Sequence, residues 1–180
     1  MNGWAGVDLF FVLSGFLVGF HLLRRWPEET NLYFFSRYWL KRILRTFPLY
    51  YAILAIILIG AVPLYNPEVR NIAKNLYYHL VFLQDYMKAP FLVALWSLAT
   101  EEKFYLLCPF LILFLRPKKF DVRWSVAALV CISFIPLYFR FDLYQQYQPN
   151  SYTSFFWSFR APFHMALDGL ILGLAMAFLY

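Results

Sequence analysis

The apolar run from Val7 to Leu23 constrains this chain more than anything else in it, because its one acid, Asp8, stands at the outset and two arginines, Arg24 and Arg25, follow at once. Its roughly 17 residues make about 25 Å of helix, just enough to cross a hydrocarbon core with little tilt. A cleaved export signal has the opposite order, basic residues before the apolar core and small residues after it. The segment therefore reads as a retained membrane span. Gly15 and Gly19 are four apart and share a face, which lets a second helix approach closely.

Composition extends this reading to the whole chain. With 180 residues, 62% hydrophobic, 23% aromatic and only 14% charged, the apolar surface exceeds what a soluble core of this size can hide. The expected fold class is all-α, a polytopic transmembrane helix bundle with about five spans and one short interfacial or re-entrant helix. The net charge of +6 sits between apolar runs, where it sets orientation in the membrane, so no nucleic-acid partner is expected. Cys108 and Cys131 fall in separate apolar spans and are expected as small core residues, without a disulfide framework or a metal site.

Between residues 24 and 45 six cations face only Glu28 and Glu29, a net +4 that assigns this segment, read as a loop from Arg24 to Ser36 and a basic stretch, to the cytoplasm. A second span is expected over Phe47 to Val62, a polar stretch over Leu64 to Asn75, and a short apolar segment over Leu76 to Leu83 that is too brief to cross. A third span runs from Leu95 to Leu115, and Arg116, Lys118, Lys119 and Arg123 mark the next cytoplasmic turn. A fourth covers Trp124 to Phe139, a polar and aromatic loop Phe141 to Ser158, and a fifth Phe163 to Tyr180. The odd number of spans, the start outside and the apolar last residues lead us to expect further helices on both sides of this chain.

Four groups of residues stand out as candidates for chemistry. Arg42 and Arg45 are three apart on one helix face. They are expected either to clamp phosphates, helped by the amino end of the helix that follows, or to hold the helix at the headgroups. Arg37 and Lys41 read as anchors. Glu101 and Glu102 enter the outer end of the third span, where a carboxylate is costly and needs a partner; they either serve a reaction or form a structural ion pair. Asp8 lines the same cavity or caps its helix. Arg160, His164 and Asp168 recur every four residues and predict a polar seam on one face, with His164 held by Asp168 as a base or in a buried structural pair. His21 and His79 receive no role. The sequence has no P-loop, no nucleophile elbow around Ser14 or Ser97, and no clustered metal ligands.

Three segments together resemble the acyltransferase 3 family of integral membrane acyltransferases: Gly6-Val-Asp-Leu-Phe-Phe-Val-Leu-Ser-Gly-Phe-Leu, the stretch Arg37 to Tyr51 with Arg42-Ile-Leu-Arg45 and Pro48, and Trp96-Ser-Leu-Ala-Thr-Glu-Glu-Lys-Phe-Tyr105. Phe163 to Gly173 is similar to a later, weaker family segment. The resemblance implies a multi-pass cell-membrane protein, in the inner membrane if bacterial, in which the whole of residues 1–180 is a partial family domain. It implies acyl-CoA, commonly acetyl-CoA, as cytoplasmic co-substrate rather than a bound cofactor, and a hydroxyl on an extracytoplasmic or lipid-linked glycan as acceptor. Arg42 and Arg45 then bind the acyl-CoA, Glu102 is the more characteristic acid, and the family's usual histidine lies on a first helix that this sequence does not include. A membrane fragment or carrier for lipid-linked glycans, without catalysis, is the alternative.

Overall fold

The computed structural model describes residues 3–25, 32–59, 72–88, 90–115 and 121–180, and every regular element among them is helical. Helix α1 spans Gly3–Arg24, and α2 Leu32–Leu58. The helix begins at Leu32, inside the expected loop of Arg24 to Ser36, and runs unbroken through the basic stretch into the apolar part as one 27-residue helix, with Pro48 inside it. Lys, Arg and Leu are good helix formers, which explains the continuity. The nine-residue α3, Ile72–Leu80, is the expected short helix, followed by turns to Lys88. A 3-10 turn, Pro90–Leu95, leads into α4, Trp96–Leu115.

The later chain is more broken than its hydropathy predicts. Helices α5, Val122–Ser133, and α6, Ile135–Gln146, meet at Phe134 and together exceed the expected fourth span. Asp121 caps α5 by accepting the Arg123 N–H at 3.2 Å. The supposed loop contains the short α7, Tyr152–Phe155, and a π-helical turn over Phe156–Arg160. After a 3-10 turn, Phe163–Met165, the last helix α8 occupies only Leu167–Leu179.

Two stretches among the described residues, Ala5–Arg24 and Val122–Gln146, are long and apolar enough to cross a membrane. Five were expected. Helix α4 falls short because Glu101, Glu102 and Lys103 lie in it, α2 because of its basic first half, and α8 because it has 13 residues. Glu28, Glu29, the polar stretch at 64–71 and the basic turn at 116–119 lie outside the described residues.

The core is built on α1 against α8, with α5 on the far side of α8 and α4 beside α1. Glycine makes the central contact possible: a Cβ on Gly15 would collide with the Leu170 backbone, and one on Gly173 with the Val12 backbone. The backbones therefore approach more closely than side chains allow elsewhere, as the spacing of Gly15 and Gly19 predicts. Phe11, Trp96 and Phe156 extend the core in edge-to-face contacts at 5.7 and 5.5 Å. A second cluster joins Tyr50, Leu54 and Ile57 of α2 to Phe82 and Ala99. Its centre is Phe82, whose left-handed φ of 56° is held by stacking on Tyr50 at 4.6 Å. Cys108 is buried in the core as expected, whereas Cys131 is exposed. The outer faces carry bare apolar side chains, Phe114 at 81% and Trp124 at 69% exposure among them, a surface that suits lipid and not water.

Candidate functional site

Helix α4 runs antiparallel to α2, with Trp39 against Phe110 at one end and Tyr50 near Leu95 at the other, bridged by Gln84. Alongside α1, α4 is parallel, with Phe11 against Trp96. Between the three helices lies a cavity of about 760 Å³. Its lining changes along its length. His21 and Arg25 from the end of α1 and Arg37 and Lys41 from the start of α2 surround one mouth. Arg42, Arg45, Thr46, Ser14, Glu101 and Tyr105 occupy the middle, and Phe10, Leu49, Ile53, Leu95 and Leu98 line the other end, with Leu17, Leu22 and Phe34 among the apolar side chains beside the cations.

Arg42 is the best-held cation in this space. Its guanidinium lies 4.8 Å from the Tyr105 ring centre and 5.8 Å from that of Tyr38, cation–π contacts that fix a long side chain. It also acts electrostatically on both Glu101 and Glu102. Glu101 is only 4% exposed. Ser14 and Tyr105 share the cavity wall with it, and its Oε1 has no hydrogen-bond partner among the described residues. A buried carboxylate oxygen without a donor is costly unless something fills the place. Glu102 does not line the cavity, and its Oε1 likewise has no hydrogen-bond partner among the described residues.

Several sequence expectations need correction. The arginines and the acids were assigned to opposite ends of their spans; the structure brings Arg42 and Glu101 into one cavity, because α2 starts at Leu32 and Arg42 stands ten residues inside it. The helix amino end expected beside Arg42 and Arg45 is therefore absent from that place. Arg37 and Lys41, read as anchors, line the cavity, and so does His21, which received no role. Asp8 neither lines the cavity nor caps a helix; it lies inside α1 and pairs with Arg160 at 2.7 Å.

The polar seam at Arg160, His164 and Asp168 is not formed. The chain passes from a π turn through Pro162 to a 3-10 turn before α8 begins, so the four-residue spacing never lies on one helix. Each residue takes a different partner: Arg160 pairs with Asp8, Asp168 with Arg140 at 2.9 Å, and His164 Nδ1 with the Tyr86 hydroxyl at 3.0 Å. His164 is thus held by Tyr86, stacked on its ring, and not by Asp168.

Sequence reasoning missed Ser14, Tyr38 and Tyr105 at the cavity. The signal was available: Tyr38 precedes Arg42 by four, and Tyr105 follows Glu101 by four, the spacing that places side chains together on a helix. It also missed the ion pair between Lys103 and the fully buried Asp85. Burial pushes the Asp85 carboxyl up from its ordinary value, against the opposing pull of the Lys103 ammonium. Nothing local in sequence marks that pair. Among the described residues no group of His, Cys, Asp and Glu is arranged to hold a metal.

Residues 2–179 match the sequence profile of a family described as an acyltransferase domain. The chain is 36% identical over 130 residues to the peptidoglycan O-acetyltransferase OatA of Listeria monocytogenes, a match that covers 64% of this chain and 21% of that protein. It is 30% identical over 122 residues to the putative peptidoglycan O-acetyltransferase YrhL of Bacillus subtilis, covering 60% and 19%. With the O-acetyltransferase OatA of Staphylococcus aureus it shares 28% identity over 193 aligned positions, covering 99% of this chain and 30% of the relative. The chain thus spans less than a third of the length of these relatives. No solved structure matches it.

Proposed function

Because this chain belongs to the acyltransferase 3 family, we propose that it forms the donor-binding part of a membrane O-acyltransferase that moves an acetyl group from cytoplasmic acetyl-CoA to a glycan hydroxyl outside. The observation that carries this reading is the shared cavity, in which the cations of α1 and α2 open toward Glu101 beside Arg42. Phosphates suit the first part, since guanidinium groups bind phosphate oxygens bidentately. A thioester carbonyl beside Arg42 would have its developing negative charge stabilised by a cation already held in place by two rings. Glu101, with one oxygen unpartnered, is suited to accept the proton of an acceptor hydroxyl or to orient it.

The transfer itself balances simply. The acceptor oxygen forms a bond to the acyl carbon, its proton leaves to a base, and the thiolate departs and is protonated. The acceptor follows the relatives, two of which bear peptidoglycan in their names, so the acceptor class is a cell-envelope glycan. The five apolar stretches of the sequence are then spans of a multi-pass bundle, with the basic segments on the donor side. The exposed apolar faces support a lipid surround.

The test is transfer of labelled acetyl from acetyl-CoA to glycan in membranes carrying the protein. Label appearing in glycan and falling on Glu101→Gln supports the reading. Transfer that is unaltered by Glu101→Gln removes Glu101 from the chemistry. A chain that binds lipid-linked glycan without taking up label is a carrier, and the enzyme reading fails.

A further inference from the structure

We propose that the cap formed by the end of α6, the link to α7 and the π turn after it is a binding site for an uncharged glycan chain, with Tyr144 and Phe155 as its stacking rings. The proposal rests on the acceptor half of the reading above and gives that half a place in the fold.

Position is the first ground. The stretch Val122–Gln146 is long enough to cross a membrane, and with Arg123 at its start on the basic side its far end emerges opposite the donor. From there the cap packs onto the end of the cavity farthest from the cations. Arg160, the last residue of the π turn, pairs with Asp8 at 2.7 Å, two residues before Phe10, which lines that end. Phe156 meets Trp96 edge to face at 5.5 Å, next to Leu95 of the same lining. A chain held on the cap thus lies beside the outer end of the space that contains Glu101.

Surface chemistry is the second ground. Tyr144 from α6 and Phe155 from α7 both pack on the buried Phe159, at 6.4 and 5.4 Å between ring centres, yet they stay 53% and 39% exposed. Two open rings from different elements on one aromatic floor offer apolar faces that the C–H face of a sugar ring can cover. Tyr152, 63% exposed, adds a third ring on α7, three residues before Phe155. The exposed side chains around them include Gln145, Gln148 and Asn150, amides that both donate and accept hydrogen bonds, as sugar hydroxyls require. Rigid rings interleaved with short polar groups recognise a polar ligand at low ordering cost.

Charge selects the occupant. From Phe141 to Phe159 the one charged residue is Asp142, which accepts from the Gln146 amide at 2.9 Å. The flanking Arg140 and Arg160 are each paired with an aspartate. A surface that seats anionic headgroups or a phosphate-bearing polymer carries lysines or arginines for them, and this segment has neither. Its chemistry complements a neutral polyol.

The experiment is calorimetric titration of the protein in phosphatidylcholine nanodiscs with chitotetraose, an uncharged amino-sugar oligomer, for the natural chain, Tyr144→Ala, Tyr152→Ala and Tyr144→Phe. Tyr144→Ala is expected to weaken binding about tenfold, the scale of one lost stacked ring, and Tyr144→Phe, which keeps the ring, to retain most of the affinity. Acetyl-CoA affinity should be the same in all four. If Tyr144→Ala fails to fold, Tyr152→Ala decides in its place. No binding of chitotetraose to the natural chain, or binding that both alanine variants leave unchanged, overturns the cap site while the donor reading stands on acetyl-CoA. Chitotetraose bound as expected by a chain that takes up no acetyl-CoA overturns the donor reading and leaves the cap. Unchanged glycan binding together with a lower unfolding temperature for both alanine variants makes the rings interfacial anchors, and the proposal is wrong.

Discussion

The hydroxyl of Tyr38 donates a 3.2 Å hydrogen bond to the main-chain carbonyl of Tyr105, the carbonyl that Pro109 leaves open by having no N–H to offer four residues on. A helix defect in α4 is thus repaired from α2, and the repair ties together the two helices that carry Arg42 and Glu101. Tyr38→Phe is expected to cost about 1 kcal/mol. In a Pro109→Ala background, where the helix supplies its own N–H, the same change should cost markedly less. A double-mutant cycle on thermal unfolding, followed by tryptophan fluorescence, measures the difference; additive effects would mean that the carbonyl is not what Tyr38 serves.

Glu101 and Glu102 are adjacent in sequence and unequal in space. Glu101→Gln should lower transfer by about 10²- to 10⁴-fold, the usual range for a general acid or base, with donor affinity changed only a few-fold. Glu102→Gln, whose side chain lies off the cavity, should have the smaller effect on turnover. Initial rates of CoA release alongside acetyl-CoA titration separate the two.

Close approach of α1 and α8 gives a sharp contrast between glycines. Gly15→Ala drives a methyl into the Leu170 backbone, whereas a Cβ at Gly6 meets nothing within 4 Å. Gly15→Ala should cost about 1 to 3 kcal/mol through overpacking, and Gly6→Ala, which meets nothing and lies within α1, should leave the unfolding temperature unchanged or slightly raised.

The Lys103–Asp85 pair is buried on the acidic side, Asp85 being 0% exposed, while Asp8 in its pair with Arg160 is 55% exposed. Lys103→Met strands a buried carboxyl and should destabilise by about 3 to 5 kcal/mol. Adding Asp85→Asn should recover much of that loss. Asp8→Asn should matter less than Lys103→Met, since the pair it alters is half solvated on its acidic side and the amide oxygen can still accept from Arg160. Unfolding temperatures of the three variants in one detergent check the order.

Helical class, the approximate places of the apolar stretches, the short helix near residue 76 and the glycine contact of α1 were legible, because each rests on local pattern: periodicity, hydropathy and small-residue spacing. The pairing of distant elements was not. Nothing in the sequence says that Arg42 lies opposite Glu101, since that depends on α2 and α4 being antiparallel and on α2 beginning fifteen residues before its apolar part. Arg160, His164 and Asp168 misled for a related reason: a regular spacing implies a shared face only where the helix is continuous, and Pro162 breaks it. Asp85 and Lys103 are eighteen residues apart across a turn, a separation with no periodic signature.

The account stands on the donor being held in the cavity of Arg42 and Arg45, and acetyl-CoA affinity is its most direct measure. Titration of the natural chain and of Arg42→Gln with Arg45→Gln should give an affinity lower in the variant by about ten- to a hundredfold, the worth of one or two charge-assisted contacts, with the fold intact by circular dichroism. An unchanged affinity in a folded variant would contradict it.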